Sequence, residues 1–324
     1  MRTVVVGVAG DRSSGPVLQR ALAEARTAAR PLEVLHAWSV PTWAAAAVGL
    51  DDVHAVDRGT AQAQGVAAEA LASALLAGGE AAPAASSVRG AHGEPGPTLV
   101  QQSAQAGLLV LGAPSHGRLL GAVLGAASAV VLRHASCPVM VVPVHGTTAP
   151  FRRVVVGYDA PTHAGSALRW AVDAARRHRC PLVVVHALPL TPTPVPRSVQ
   201  SDDARREDEV RHRLDHHVAR ALRGHEEVPV TTCFADGSAF EVLLREAGPD
   251  DLLVLGSRAH RGVAETLLGA VALECVQHAT GTVVVVRAGQ ERLDDVPGAA
   301  RPRTVGASTR TPDGTGRESP HRGT

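Results

Sequence analysis

Two pairs of glycines have the spacing of an anion-binding loop. Gly112 and Gly125 are thirteen positions apart, and Gly256 and Gly269 have the same separation. Each pair begins at the end of a short apolar run and ends at a segment with helical periodicity. Glycine lets backbone amides approach an anion closely, and a helix N-terminus supplies unpaired N–H groups and a positive dipole end. The spacing therefore indicates two phosphate-type sites.

These glycines also have a plainer interpretation, because glycine permits a tight turn between a strand and a helix without any ligand. A single pair favours the plainer interpretation. Two pairs at corresponding places in the chain favour a site inherited by both. Both interpretations stay open on spacing alone.

Metal and thiol chemistry is less well supported. His212 and His216 form an i, i+4 pair of the kind that holds a metal on one helix face, with His217 beside them. Arginines and Asp215 surround the pair, which favours a solvated charged helix. The 4 cysteines contain no CxxC pair, which predicts reduced thiols without a disulfide framework or a zinc site. We expect no bound metal.

Several enzyme classes lack their characteristic loops. Gly7-Val8-Ala9-Gly10 does not have the GxGxxG spacing of dinucleotide oxidoreductases. A Walker loop needs a lysine, and the sequence contains none. Residues 9–14 resemble the loop of ATP pyrophosphatases only faintly, without its glycine pair followed by Asp-Ser. With no set of acid, base and nucleophile, we expect that the protein is not an enzyme.

Charge and hydropathy exclude further partners. The chain has 324 residues, and 32 basic side chains nearly balance 31 acidic ones for a net charge of +1. That balance predicts no broad basic field for nucleic acid or acidic membranes. The N-terminus lacks the apolar core of a signal peptide, and no stretch reaches the ~18–20 apolar residues of a bilayer span. We predict a cytoplasmic protein without a membrane or nucleic-acid partner.

The chain contains an internal repeat. Val4-Val5-Val6-Gly7 recurs as Val154-Val155-Val156-Gly157, and His36-Ala37 recurs as His186-Ala187, both 150 positions later. Leu108 to Gly112 recurs as Leu252 to Gly256, now 144 positions later. A unit of this length used twice is a tandem domain and not a solenoid. We predict domains at 1–145 and 151–288, followed by a polar, disordered tail at 289–324.

Short apolar runs alternate with helix-length segments in each unit. The runs are too short for helices and do not alternate with polar residues, so they predict strands of a parallel sheet buried on both faces. The third strand has the weakest signal, at Ala85 to Arg89 and at Val228 to Phe234. The helices predicted before the fifth strands are Ala122 to His134 and Ala264 to His278. The class is α/β, with two doubly wound, Rossmann-like units that carry helices on both faces.

The ordered set of motifs resembles the universal stress protein family. The set comprises Val-Val-Val-Gly at the first strand, His-Ala ending the second, the glycine loop after the fourth, and His-Ala before a final valine run. The resemblance covers residues 2–144 and 152–288. It implies a five-stranded parallel sheet of order 3-2-1-4-5 in each unit. It also implies an intrachain pseudo-dimer through the two fifth strands, which would shield their apolar edges from other chains.

Members of that family that bind ATP carry Gly-x2-Gly-x9-Gly-Ser/Thr in the fourth loop and an Asp after the first strand. Unit 1 has Ala9 at the Asp position, Ser115 at the second Gly and Ala126 at the hydroxyl residue. Unit 2 keeps Asp159 but has Ala259 and Ala270 at the other two positions. The resemblance implies that the candidate nucleotide-binding residues are Asp159, Ala187, Gly256, Ser257, Arg258, Gly269, Ala270 and Val271 in unit 2, and Gly112, Ser115, Gly125 and Ser128 in unit 1.

Two functions follow from the resemblance and its departures. The first is a cytoplasmic stress-response protein that binds ATP weakly at the loops after strands 1 and 4. The second is a nucleotide-independent scaffold of the same fold that binds a protein partner through its surface. An added Cβ in the phosphate loop and a lost hydroxyl donor both weaken an ATP site. The residues therefore support the scaffold almost as well as the ATP-binding protein. Further homodimerisation is compatible with either.

Overall fold

The computed structural model describes residues 2–11, 14–40, 53–79, 81–83, 85–113, 125–159, 161–188, 197–257, 268–288 and 290. The strands are β1 (Thr3–Gly7), β2 (Leu32–Trp38), β3 (Ser86–His92), β4 (Ala106–Gly112), β5 (Val139–Val142), β6 (Val154–Gly157), β7 (Leu182–Leu188), β8 (Val230–Asp236), β9 (Leu252–Gly256) and β10 (Thr282–Val286). The helices within the described part of the chain are α1 (Ser14–Thr27), α2 (Val53–Gly78), α3 (Pro95–Ser103), α4 (Ala126–His134), α5 (Pro161–His178), α6 (Arg197–Ala221), α7 (Ala239–Glu246) and α8 (Ala270–His278).

All ten strands form one sheet in the order β3-β2-β1-β4-β5-β10-β9-β6-β7-β8. Each half of the sheet is parallel and has the predicted order 3-2-1-4-5. This arrangement confirms two doubly wound α/β units within the chain.

The two units join through their fifth strands. β5 and β10 pair antiparallel, with Val141 opposite Val283 and Val139 opposite Val285. Each strand therefore satisfies the backbone edge of the other, and neither apolar edge is left for intermolecular pairing. The predicted intrachain pseudo-dimer is confirmed.

The central strands are valine-rich because helices cover both faces of the sheet. Val4 and Val6 pack into one hydrophobic core, and Val5 packs into the core on the other face. Val154, Val156 and Val155 repeat this division in unit 2. Each of these side chains is at most 2% exposed. The burial of one such valine contributes about 1.5–3 kcal/mol, which holds the strand ends in fixed positions.

The helices divide between the two faces. Residues of α1, α2, α5 and α6 line the core that contains Val4, and residues of α3, α4, α7 and α8 line the core that contains Val5. Each unit therefore carries helices on both faces, as predicted.

Some boundaries differ from the sequence predictions. Gly125 and Gly269 adopt extended backbone immediately before α4 and α8, so these helices begin later than Ala122 and Ala264. The third strands run to His92 and Asp236, beyond Arg89 and Phe234, because they keep pairing with β2 and β7 to their ends. Apolar runs understate these edge strands, because neither strand has a fully buried position and both end at an exposed polar residue. The tail at 289–324 lies outside the described residues, apart from Gln290.

Candidate functional site

A crevice opens at the carboxyl end of the sheet in unit 2. The pairing of β6 with β9 ends at Val156 and Val254. Beyond that point the segments that follow β6 and β9 hydrogen-bond to different neighbouring strands. The Tyr158 N–H donates to the Val185 carbonyl on the β7 side (2.8 Å), and the Ser257 N–H donates to the Val286 carbonyl on the β10 side (2.9 Å). The strand order reverses here, and ligands of open α/β sheets bind at such a point.

Unit 1 has the same crevice. The pairing of β1 with β4 ends at Val6 and Val110. The Val8 N–H then donates to the Leu35 carbonyl (3.0 Å), and the Ala113 N–H donates to the Val142 carbonyl (2.8 Å). The described strands therefore diverge in the same way in both units.

A helix begins at the far end of each fourth-strand loop. Gly125 and Gly269 are the N-cap residues of α4 and α8, and among the described residues no side chain caps either helix. Their backbone angles, φ −57° and −61°, are open to any residue. Glycine is therefore not required there by φ, and its value is that no Cβ shields the first N–H groups of the helix. Uncapped N–H groups of this kind suit an anion.

Most of the predicted residues of unit 2 lie around its crevice. Asp159 follows Tyr158 and is exposed, whereas Ser257 is buried directly after β9. Gly256 ends β9, and Ala270 and Val271 form the first turn of α8. Ala187 lies near the end of β7, partly buried. Arg258 and Ala259 lie outside the described residues.

Unit 1 offers the same described framework, with alanine at the position of Asp159. Gly112 ends β4, and Ser128 lies buried in the first turn of α4. Ala9 is exposed at the position that corresponds to Asp159, and an alanine offers no side-chain acceptor. Ser115 lies outside the described residues.

Family comparison agrees with this architecture. The Universal stress protein family profile matches residues 1–143 and 150–287, once for each unit. The chain belongs to the universal stress protein family. It is a tandem member, since the two matches coincide with the two halves of the ten-stranded sheet.

Related universal stress proteins occur in mycobacteria. One from Mycobacterium tuberculosis is 32% identical over 205 residues, an alignment that covers 62% of this chain and 65% of the relative. A second from the same species is 30% identical over 194 residues, with coverage of 59% and 65%. The chain thus matches just under two thirds of the length of these relatives.

Solved structures of the family share the fold. A universal stress protein from Archaeoglobus fulgidus superposes with a TM-score of 0.61 at 19% identity, over 89% of this chain and 98% of that one. A putative universal stress protein from Pseudomonas aeruginosa gives 0.58 at 19% identity, over 89% and 93%. In the described part of this universal stress protein, no helix has the length and apolar character needed to cross a bilayer.

The repeated histidines of this universal stress protein hold the crevice loops. His186 donates its Nδ1–H to the Tyr158 carbonyl (2.8 Å), and His36 donates likewise to the Val8 carbonyl (2.9 Å). Each histidine therefore fixes the residue just before the Asp159 or Ala9 position. Their recurrence 150 positions apart thus corresponds to the same strand-end contact in both units.

Tyr158 and His217 form a contact that sequence reasoning missed. The Tyr158 hydroxyl lies 2.5 Å from His217 Nδ1 on α6, and Tyr158 is only 5% exposed. Burial raises the pKa of Tyr158, against the opposing charge of Arg213. Burial lowers the pKa of His217, and the charges of His216 and Arg220 lower it further. The only sequence signal was that Tyr158, the sole tyrosine of the chain, precedes Asp159.

Of the three histidines predicted on helix α6, His217 is partly buried, whereas His212 and His216 are exposed. His216 and His217 have ring centroids 5.9 Å apart, and His217 turns towards β6. Among the described residues, no group of three metal-ligating side chains comes together.

Proposed function

We propose that this tandem universal stress protein is a non-catalytic, cytoplasmic stress-response protein that binds ATP at the crevice of unit 2. The observation that supports the proposal most is the placement of Asp159. This carboxylate follows β6 where β6 and β9 diverge, and α8 begins at the far end of the loop that follows β9. A carboxylate accepts hydrogen bonds from ribose hydroxyls, and the helix end stabilises phosphate.

The residues of unit 2 fit a nucleotide better than those of unit 1. Ser257 and the first turn of α8 lie beside the crevice, and Arg258 follows Ser257 in sequence. Bound ATP would supply the occupancy signal, and the protein would pass it to a partner through a shift between bound and free populations. Unit 1 then has a mainly structural role, because its strand β5 pairs with the edge of β10.

A second candidate is a nucleotide-independent scaffold, and the composition of the loops favours it. Ala126 and Ala270 occupy the first position of their helices, where the ATP-binding motif has a hydroxyl residue. Loss of that donor weakens ATP binding by about 0.5–1.5 kcal/mol. The Cβ of Ser115 or Ala259, at the second Gly of the motif, weakens it further. In this alternative the crevice loops only connect strands to helices, and a protein partner binds elsewhere on the surface.

The first experiment tests occupancy. Protein purified without added nucleotide is denatured, and the released small molecules are analysed by mass spectrometry. Recovery of ATP, or saturable binding in a calorimetric titration, supports the proposal. An empty extract together with a flat calorimetric titration would reject it in favour of the scaffold.

The second experiment assigns the site by calorimetric titration with ATP. Asp159→Ala should weaken binding about tenfold or more, because hydrogen bonds to a charged acceptor contribute about 1.5–3 kcal/mol. Asp11→Ala removes a carboxylate from the corresponding loop of unit 1 and should leave the affinity unchanged. The double change Ala259→Gly and Ala270→Ser should tighten binding. Equal affinity of Asp159→Ala and wild type would place the site elsewhere.

A further inference from the structure

The β5–β10 pairing relates the two units by an approximate two-fold axis. Met140 and Val284 face each other in this antiparallel pairing, and they occupy corresponding positions 144 apart in the sequence. Ala29 and Arg179, which follow α1 and α5, both have a positive φ (51° and 53°), so the two helices end in the same way. A boundary with equal side chains on both sides of the axis would suit two identical units as well as it suits unit 1 and unit 2.

The side chains on the two sides of this axis differ. On one side, Glu24 of α1 lies against His178 of α5, with 3.2 Å between Oε2 and Nε2, and both side chains are buried. The corresponding positions, 150 residues away in each case, hold Ala174 and Ala28. Ala174 belongs to the core that α1 and α5 share, and Ala28 packs against it. An acid and a base therefore meet on one side of the axis, whereas the equivalent place on the other side has two alanines.

Glu24 depends on unit 2 for its hydrogen bond and for much of its charge compensation. Its Oε1 has no hydrogen-bond partner among the described residues, so the contact of Oε2 with His178 is the one that satisfies this carboxylate there. Burial alone would raise the pKa of Glu24, but the charges of His178 and Arg177 in unit 2 and of Arg20 in unit 1 lower it. Unit 2 thus supplies two of the cationic groups that keep the buried carboxylate ionised.

Arg20, on the same helix as Glu24, is held by other groups. Its Nη2 donates to the carbonyls of Thr147 and Ala149, at 2.7 and 2.9 Å, in the segment that joins the units. Its guanidinium also lies over the Phe151 ring, 4.0 Å from the centroid. Arg20 is therefore bound to the joining segment and does not replace the partner that Glu24 has in unit 2.

Pairing of like units would leave buried charge without a partner. Two copies of unit 1 joined about the same axis would place each Glu24 opposite Ala28 of the other copy. Both carboxylates would then stay buried without His178 and Arg177. Two copies of unit 2 would place each His178 opposite Ala174. Because removal of one partner of a buried ion pair is strongly unfavourable, each orphaned carboxylate disfavours like pairing by about a hundredfold or more.

We propose that Glu24 and His178 select the partner at the fifth strands, so that unit 1 accepts a unit 2 and rejects a second unit 1. The surface that β5 and α1 form on unit 1 thus fits a universal stress protein unit with a basic side chain at the position of His178. A second copy of this chain meets that requirement only by exchange of whole units. A homodimer without exchange therefore forms through another surface. This role is independent of the nucleotide site in unit 2.

The first test uses the intact chain. His178→Ala gives Glu24 the alanine neighbour that it would have in a pair of unit 1 copies. At pH 7 this variant should raise the equilibrium constant of urea unfolding about a hundredfold or more. Addition of Glu24→Ala removes the orphaned carboxylate and reproduces the two alanines on the other side of the axis. The double variant should therefore unfold with an equilibrium constant at least about tenfold lower than that of His178→Ala alone.

Glu209→Ala in the same His178→Ala background is the matched control. Glu209 is an exposed carboxylate on α6, so its removal should restore no stability. If Glu24→Ala leaves the His178→Ala protein unchanged or destabilises it further, the contact contributes packing alone and the inference is overturned. If His178→Ala does not fold, a folded double variant is the supporting result, and a double variant that also fails to fold overturns the inference.

The second test leaves the boundary as it is in wild type. A protease site is inserted after the exposed His145, between the units, and one of two preparations is labelled uniformly with 15N. The cleaved proteins are mixed, unfolded in urea and refolded together, and native mass spectrometry counts the pairs. Unit 1–unit 2 pairs with mixed labels should form, with fewer than about 1% like pairs. Like pairs in more than about a tenth of the assembled protein, or units that stay unpaired, would overturn the inference.

Discussion

Glu24 of unit 1 and His178 of unit 2 meet across the boundary between the two units, with 3.2 Å between Oε2 and Nε2. Both side chains are buried, at 2% and 7% exposure. Arg20, one turn before Glu24, donates to the carbonyls of Thr147 and Ala149 in the segment that joins the units. The boundary therefore contains a buried polar cluster as well as the β5–β10 ladder.

Removal of the Glu24 charge should destabilise the protein and flatten its acid response. Burial opposes ionisation, but the charges of His178, Arg177 and Arg20 together lower the pKa of Glu24. A lowered folded pKa stabilises the protein above the unfolded value, near 4.3, and this contribution is lost as the pH falls through the folded pKa. Glu24→Gln should cost about 2–4 kcal/mol at pH 7 because the cationic partners stay buried.

Thermal unfolding of wild type and Glu24→Gln from pH 7 to pH 3 checks this prediction, with Glu209→Gln as the control. Glu209 pairs with Arg213 at 3.1 Å on the surface of α6, and both side chains are more than 60% exposed. That pair should contribute less than about 0.5 kcal/mol. Equal losses for the two variants would show that the buried cluster does not stabilise the boundary.

The segment after β10 should matter more than the chain beyond it. Arg287 donates to the Arg133 carbonyl at 2.6 Å, and Gln290 Nε2 lies 3.4 Å from the Ala135 carbonyl, so both contact the C-terminal end of α4 in unit 1. A cation at a helix C-terminus is favourable. Deletion of 291–324 should leave the melting temperature within about 1 °C, whereas deletion of 287–324 should lower it by a few degrees. A large loss from the shorter deletion would show that the tail packs against the folded units.

Two glycines near α2 should respond oppositely to alanine. A Cβ at Gly90 on β3 would collide with the Thr60 carbonyl and lie 2.6 Å from the Gln64 nitrogen, both of the α2 backbone. Gly90→Ala should therefore cost at least about 2 kcal/mol. Gly65, exposed within α2, has no atom within 4 Å of an added Cβ, so Gly65→Ala should stabilise by about 0.5–1 kcal/mol. Denaturant unfolding of both variants measures the contrast, and a stable Gly90→Ala protein would contradict the packing of α2 on β3.

The cysteines should resist alkylation in the native state. Burial raises the pKa of Cys137 and Cys275 to about 12 and that of Cys180 to about 11. Cys233 is less buried, and its pKa is also raised by burial. At pH 8 iodoacetamide should modify Cys233 first and the other three only after denaturation, because the thiolate is the reactive form. Fast labelling of Cys137 in folded protein would show that β5 is accessible.

Local pattern was sufficient for much of the architecture. Runs such as Val4 to Val6 predict strands buried on both faces, and their recurrence at Val154 to Val156 predicts two units. The strand order and the pairing of the fifth strands came from the family resemblance, and the β5–β10 register confirms them. The predicted ends of strands and helices were wrong where apolar content does not mark the end of an element. Examples are His92, at the end of an edge strand, and Gly269, before α8.

The sequence by itself determined the class of fold, the tandem organisation, the family and the retention of Asp159 in only one unit. The tertiary structure decided which side chains meet across long separations. Glu24 and His178 are 154 positions apart, and Tyr158 and His217 are 59 apart. Such contacts depend on the rotational phase at which a helix packs against the sheet, and many core arrangements satisfy the same apolar period. A short-range pattern specifies which face of a helix is buried, whereas the partner of one polar group on that face is set by the packed fold.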